Sequence, residues 1–168
     1  MSELTQRYDF QNSERHSFED AIEILKQPAD VLAKFFQDNP EQFDHLNNIN
    51  DPIKIEAAVN KIIAAVTNNQ DTVTLYRGII LTPDKEEPDM EQPGMCWTYD
   101  YDTAKNFAEE LDVNDDDPDY APCVLIADFK KDDIDLLYSV AANTDEPDEN
   151  EIRTYKDAKP VNCSFDLI

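Results

Sequence analysis

Three short segments carry side chains that could do chemistry together: Leu75-Tyr76-Arg77-Gly78, Gly94-Met95-Cys96-Trp97-Thr98 and Glu149-Asn150-Glu151. Arg77 offers a planar, permanently charged guanidinium of the kind that recognises phosphate or carboxylate. The glycine after it lets another group come close to the backbone. Cys96 and Thr98, on either side of the single tryptophan, supply a thiol and a hydroxyl, hydrogen-bonding groups of unequal strength. Glu149 and Glu151 supply two carboxylates, groups able to stabilise a developing cation or to move a proton. The chain has only two glycines, where average usage predicts roughly twelve. Both of them, Gly78 and Gly94, fall inside these segments.

Other clusters carry less. Asp115-Asp116-Asp117 with Asp119 could face a hard cation, yet the spacing lacks the central glycine and terminal glutamate of a calcium loop. His16 and His45 have no Ser or Cys near them in a triad-like arrangement. Cys96, Cys123 and Cys163 form an odd set without CxxC spacing, which predicts reduced thiols and no structural metal.

The elements that must position the three segments change character along the chain. Ser17 followed by Asp20 predicts a helix start, with Phe18, Ala21, Ile22 and Leu25 on one face. Val31, Leu32, Phe35 and Phe36 form the stripe of a second helix, and Asn39-Pro40 with Gln42 is a capping-box start for a third. Asp51-Pro52 repeats that signal before Ile55, Val59, Ile62, Ile63 and Val66, which recur at helical spacing. From Thr72 the period becomes two, with Val73, Leu75 and Arg77 on one face and Thr74, Tyr76 and Gly78 on the other. A loop rich in proline and acid leads to a short strand near Cys96–Tyr99. Residues 100–111 then predict a helix burying Ala104, Phe107, Ala108 and Leu111. After an acidic loop over 112–122, strands are expected at Cys123–Phe129 and Ile134–Val140, with weaker ones at Glu151–Tyr155 and Val161–Ile168. Helices first and strands later predict an α+β fold in one domain over residues 1–168: a helical region at 1–70, then a strand-rich core at 71–168.

Composition narrows the partners. Fourteen basic against 38 acidic side chains give a net charge of −24, which argues against binding nucleic-acid phosphates or an anionic membrane and favours a basic protein partner. Residues 1–70 carry 6 basic and 12 acidic side chains and residues 71–168 carry 8 and 26, so −18 of the −24 lies in the second part. With 40% hydrophobic residues the chain can bury a core, which excludes a wholly disordered acidic tail. No run of 18 apolar residues occurs and Met1–Phe10 is polar, so neither a membrane span nor a signal peptide is expected, and the expected location is the cytoplasm.

The order and spacing of the three segments resemble the mono-ADP-ribosyltransferases of the arginine, serine, glutamate class. In that family an arginine ends the first core strand, a Ser-Thr-Ser-like strand precedes a helix with an Ala and Phe pair, and a Glu-x-Glu turn comes late. Here those positions are Arg77, Cys96-Trp97-Thr98 followed by Ala104 and Phe107-Ala108, and Glu149-Asn150-Glu151. The resemblance covers about residues 72–155 and implies a mainly antiparallel, split β core that takes NAD as co-substrate. It implies that Glu151 stabilises the oxocarbenium-like ribose as nicotinamide leaves, and that Arg77 with Gly78, Cys96, Trp97 and Thr98 forms the NAD site. Thr98 would orient Glu151, Glu149 would serve an arginine acceptor, and residues 138–148 would form an acidic target-recognition loop. A thiol at Cys96 stands where the family usually offers a hydroxyl. The size and acidity fit a phage- or bacterium-encoded effector acting inside a bacterial cell. The competing reading is a non-catalytic acidic decoy, a nucleic-acid mimic that occupies a basic groove on a host protein.

Overall fold

The computed structural model describes residues 15–43, 46–47, 49–91, 93–111 and 120–168. His45 and the aspartates at 115–119 lie outside the described residues, as do Met1–Phe10. The fold is α+β. It divides into two compact units, one formed by residues 1–69 with 135–151 and the other by 70–134 with 152–168.

In the helical unit, α1 (Phe18–Leu25), α2 (Ala29–Asp38), α3 (Pro40–Phe43) and α4 (Pro52–Val66) follow the apolar periodicity. Ser17 caps α1 by accepting from Asp20 N at 3.2 Å. Asp51 caps α4 by accepting from Ile53 N at 3.0 Å and Lys54 N at 3.4 Å, with Pro52 at the first helical position. Helix α3 starts at Pro40, directly after Asn39. The Asn39 side-chain amide is buried and donates 2.8 Å back to Phe35 O, closing the end of α2. Phe35, Phe36 and Phe43 form an aromatic cluster with centroid separations of 4.9–5.7 Å.

The strand expected over Ile134–Val140 is corrected by the structure. Only Ile134–Asp135 is extended (β4), and Leu136–Asp145 is a helix, α6. Asp135 starts it by accepting from Tyr138 N at 3.1 Å, and Ser139 Oγ donates 2.7 Å to Asp135 O. The residues from Leu136 to Thr144, Tyr138 excepted, are buried, and a helix buried all round shows the same continuous apolar run as a buried strand. This helix packs against α1, α3 and α4. The expected target-recognition loop over 138–148 is therefore mostly this helix, followed by a 3-10 turn at Pro147–Glu149.

The strands form one six-stranded sheet in the order β4-β5-β2-β1-β3-β6, with β1 Thr72–Leu81, β2 Cys96–Thr98, β3 Ala121–Lys130, β5 Glu151–Thr154 and β6 Asn162–Leu167. The pairings β1 with β2, β1 with β3 and β3 with β6 are antiparallel. The β1–β3 register runs unbroken from Thr72 opposite Lys130 to Leu81 opposite Ala121, so alternate residues keep to one face throughout. One face carries Val73, Leu75 and Arg77 opposite Phe129, Ala127 and Leu125. Helix α5 (Tyr101–Leu111) packs on β1 and β3. Only Ala104 and Ala108 of α5 are buried. Phe107 and Leu111, expected in the core, are 54% and 45% exposed. Gly78 explains this. A Cβ on it would overlap Ala104 O and lie 2.7 Å from Ala108 N, so the helix backbone sits against the strand and only small side chains fit between them. Among the described residues no helix is long and apolar enough to cross a membrane.

Candidate functional site

Arg77 is half-buried on β1, and its Nη1 donates to Pro93 O at 2.9 Å. Gly94 lies directly against the guanidinium: its φ is +93°, and a Cβ there would overlap Nη1 and come within 3.0 Å of Nη2. Trp97 joins the same turn, its Nε1 donating to Gly94 O at 3.1 Å. Two consecutive carbonyls, Pro93 and Gly94, thus receive the arginine and the tryptophan. Register explains the pairing. Tyr76 faces Thr98 across β1 and β2, so Arg77 and Trp97 share one face while Tyr76, Cys96 and Thr98 share the other.

That register corrects the expectation that Arg77 and Thr98 converge as side chains. They leave neighbouring strands in opposite directions. Thr98 is buried, and its Oγ1 accepts from Asp100 N at 3.2 Å. Asp100 Oδ2 in turn accepts from Thr103 N at 2.9 Å and Thr103 Oγ1 at 2.6 Å, which opens α5. Trp97 is 3% exposed and meets Phe129 edge-on at 4.9 Å, so its indole is part of the core. Gly78, expected to admit a ligand, admits α5 instead.

Cys96 is exposed, and Arg153 Nη2 lies 3.8 Å from its Sγ. Thr154 N donates to Met95 O at 2.9 Å, tying the end of β5 to the residue before β2. The other two thiols are less exposed: Cys123 is buried and Cys163 half-buried. Burial, and secondarily the Asp166 carboxylate, push Cys123 up to about 11, and burial raises Cys163 as well.

In the helical unit, Glu149 is exposed at the end of the 3-10 turn. Asn150 takes a left-handed conformation with φ +50°, which asparagine tolerates better than most residues. Glu151 follows, half-buried, as the residue on which β5 begins. Its carbonyl accepts from Asn143 Nδ2 at 2.6 Å, and the same amide donates to Ser139 O at 2.8 Å. Lys61 Nζ donates to Pro147 O just before this turn. Burial holds the Lys61 ammonium below its usual range, and Asp148 opposes that shift.

Sequence reasoning reached Gly94 through glycine scarcity, but not Pro93, Asn143 or Arg153. Backbone carbonyl partners leave no mark on residue type, and a buried Asn inside an apolar helix looks like any polar interruption. Among the described residues no group of three or more His, Cys, Asp or Glu could hold a metal ion. Comparison with protein-family models, with curated proteins and with solved structures found no significant match.

Proposed function

We propose that the protein transfers ADP-ribose from NAD to a side chain, arginine by preference, of a basic protein. The observation that carries this reading is the strand order: β5, which begins at Glu151, and β2 and β1, which bear the Cys-Trp-Thr and Tyr-Arg-Gly segments, are consecutive in the sheet. The Asn150 turn and the hydrogen bond on the Glu151 backbone carbonyl hold the main chain from which the Glu151 carboxylate projects.

In this reading the bond between nicotinamide and ribose breaks, nicotinamide leaves with the electron pair, and the Glu151 carboxylate stabilises the resulting oxocarbenium-like ribose. A nitrogen of the acceptor guanidine attacks that carbon, and Glu149 takes the proton it releases. Arg77 holds the cofactor phosphates through N–H groups other than the one used by Pro93. Because Arg77 and Thr98 face opposite ways, Arg77 alone of the two meets the phosphates in this reading, while Thr98 holds the start of α5 through Asp100. Release of nicotinamide from NAD tests the reading. The protein should release it, and Glu151→Gln should reduce the rate at least about a hundredfold. Equal rates for the two proteins would overturn it.

The charge of −24 favours a second reading, an acidic decoy that binds a basic groove without catalysis. That reading requires partner capture that survives Glu151→Gln and is lost at high salt.

A further inference from the structure

We infer that the Pro93-Gly94 turn is a seat that sets the direction of the Arg77 guanidinium, making Gly94 and Trp97 positioning residues for anion recognition. The inference deepens the NAD reading and, for its binding consequence, rests on it. Three observations meet in this turn. Pro93 O takes one N–H of the guanidinium at 2.9 Å, which removes the free rotation of a long side chain. Gly94, at φ +93°, presents bare backbone where any Cβ would overlap Nη1. Trp97, buried against Phe129, holds Gly94 O through its indole N–H at 3.1 Å, so the turn is anchored to the core from the other side. An arginine has five N–H donors in a rigid fork. Fixing one edge on a carbonyl aims the remaining donors, and a diphosphate needs that aim more than it needs charge alone. Lysine could supply the charge at this site but not the geometry.

The seat accounts for one of the two glycines of this glycine-poor chain, and helix packing for the other. Gly78 brings α5 onto β1, and Gly94 makes room for the arginine next to it.

Trp97 is the only tryptophan, so its emission reports on the turn directly. The experiment compares the full chain with Gly94→Ala, Arg77→Ala and the double variant, reading Trp97 emission without ligand and during titration with NAD. Gly94→Ala should shift the emission and weaken NAD binding at least about tenfold, the loss expected for one misdirected charge-assisted hydrogen bond. In the Arg77→Ala background, Gly94→Ala should weaken binding no further, because Gly94 acts only through Arg77. Circular dichroism should show an unchanged fold, since the colliding group is the movable end of a side chain. Unaltered emission and affinity in Gly94→Ala, or a further loss in the double variant, would overturn the seat. If the wild-type protein fails to bind NAD while Gly94→Ala and Arg77→Ala shift the emission alike, the seat stands and the NAD reading falls.

Discussion

Replacing Gly78 by alanine would drive a methyl group into the backbone of α5 at Ala104 and Ala108, where nothing flexible can yield. The expected cost is about 3 kcal/mol, the upper range for overpacking, and urea denaturation would measure it. Gly94→Ala meets only a guanidinium end and should cost about 1 to 2 kcal/mol, mainly for the left-handed backbone. Equal losses at the two glycines would contradict this division of roles. The thiols allow a second test at the same scale. Exposed Cys96 should react rapidly with a thiol reagent at neutral pH, while buried Cys123 should react only as the protein opens. Cys123 has its pKa raised from 9.0 to about 11, so folding favours its neutral form. That contribution to stability is complete below pH 9 and is lost as pH rises to about 11. Denaturation followed across that range in the wild type and in Cys123→Ala should show a steeper alkaline loss in the wild type.

Among the elements, the helix starts at Ser17 and Asp51 and the strand alternation from Thr72 were legible because each rests on contacts within a few residues. Asp51→Ala should lower stability by about 1 kcal/mol in a denaturant titration, the usual worth of an N-cap. The segment after Ile134 was not legible. Its Leu, Val and Ala run suits a strand and a buried helix equally, and the Asp135 and Ser139 hydrogen bonds that start the helix are visible only in three dimensions. Helix α5 shows the opposite failure. Its period was read correctly, yet its buried face narrowed to two alanines because a glycine on another element set the distance. The three chemical segments were legible as residue types in order. Their adjacency in the sheet, and the opposed directions of Arg77 and Thr98, depended on a register that sequence does not encode locally.

For the molecule as a whole, the charge of −24 has a cost and a use. Mutual repulsion of carboxylates works against the compact state and weakens as salt screens it. Thermal midpoints should therefore rise between low salt and about 0.5 M sodium chloride, where the Debye length shrinks to a few ångströms. A midpoint independent of salt would show that the charges are already balanced locally. The same field would draw a basic substrate to the protein at low salt, whichever of the two readings holds.

Label transfer tests whether β5, β2 and β1 together build an NAD-dependent transferase. Protein, labelled NAD and a basic acceptor protein would be incubated, and the label located on the acceptor by mass spectrometry. The account predicts ADP-ribose on acceptor side chains with the wild type, much less with Arg77→Ala, and none with Glu151→Gln. Absence of label with the wild type, or equal labelling by Glu151→Gln, would contradict it.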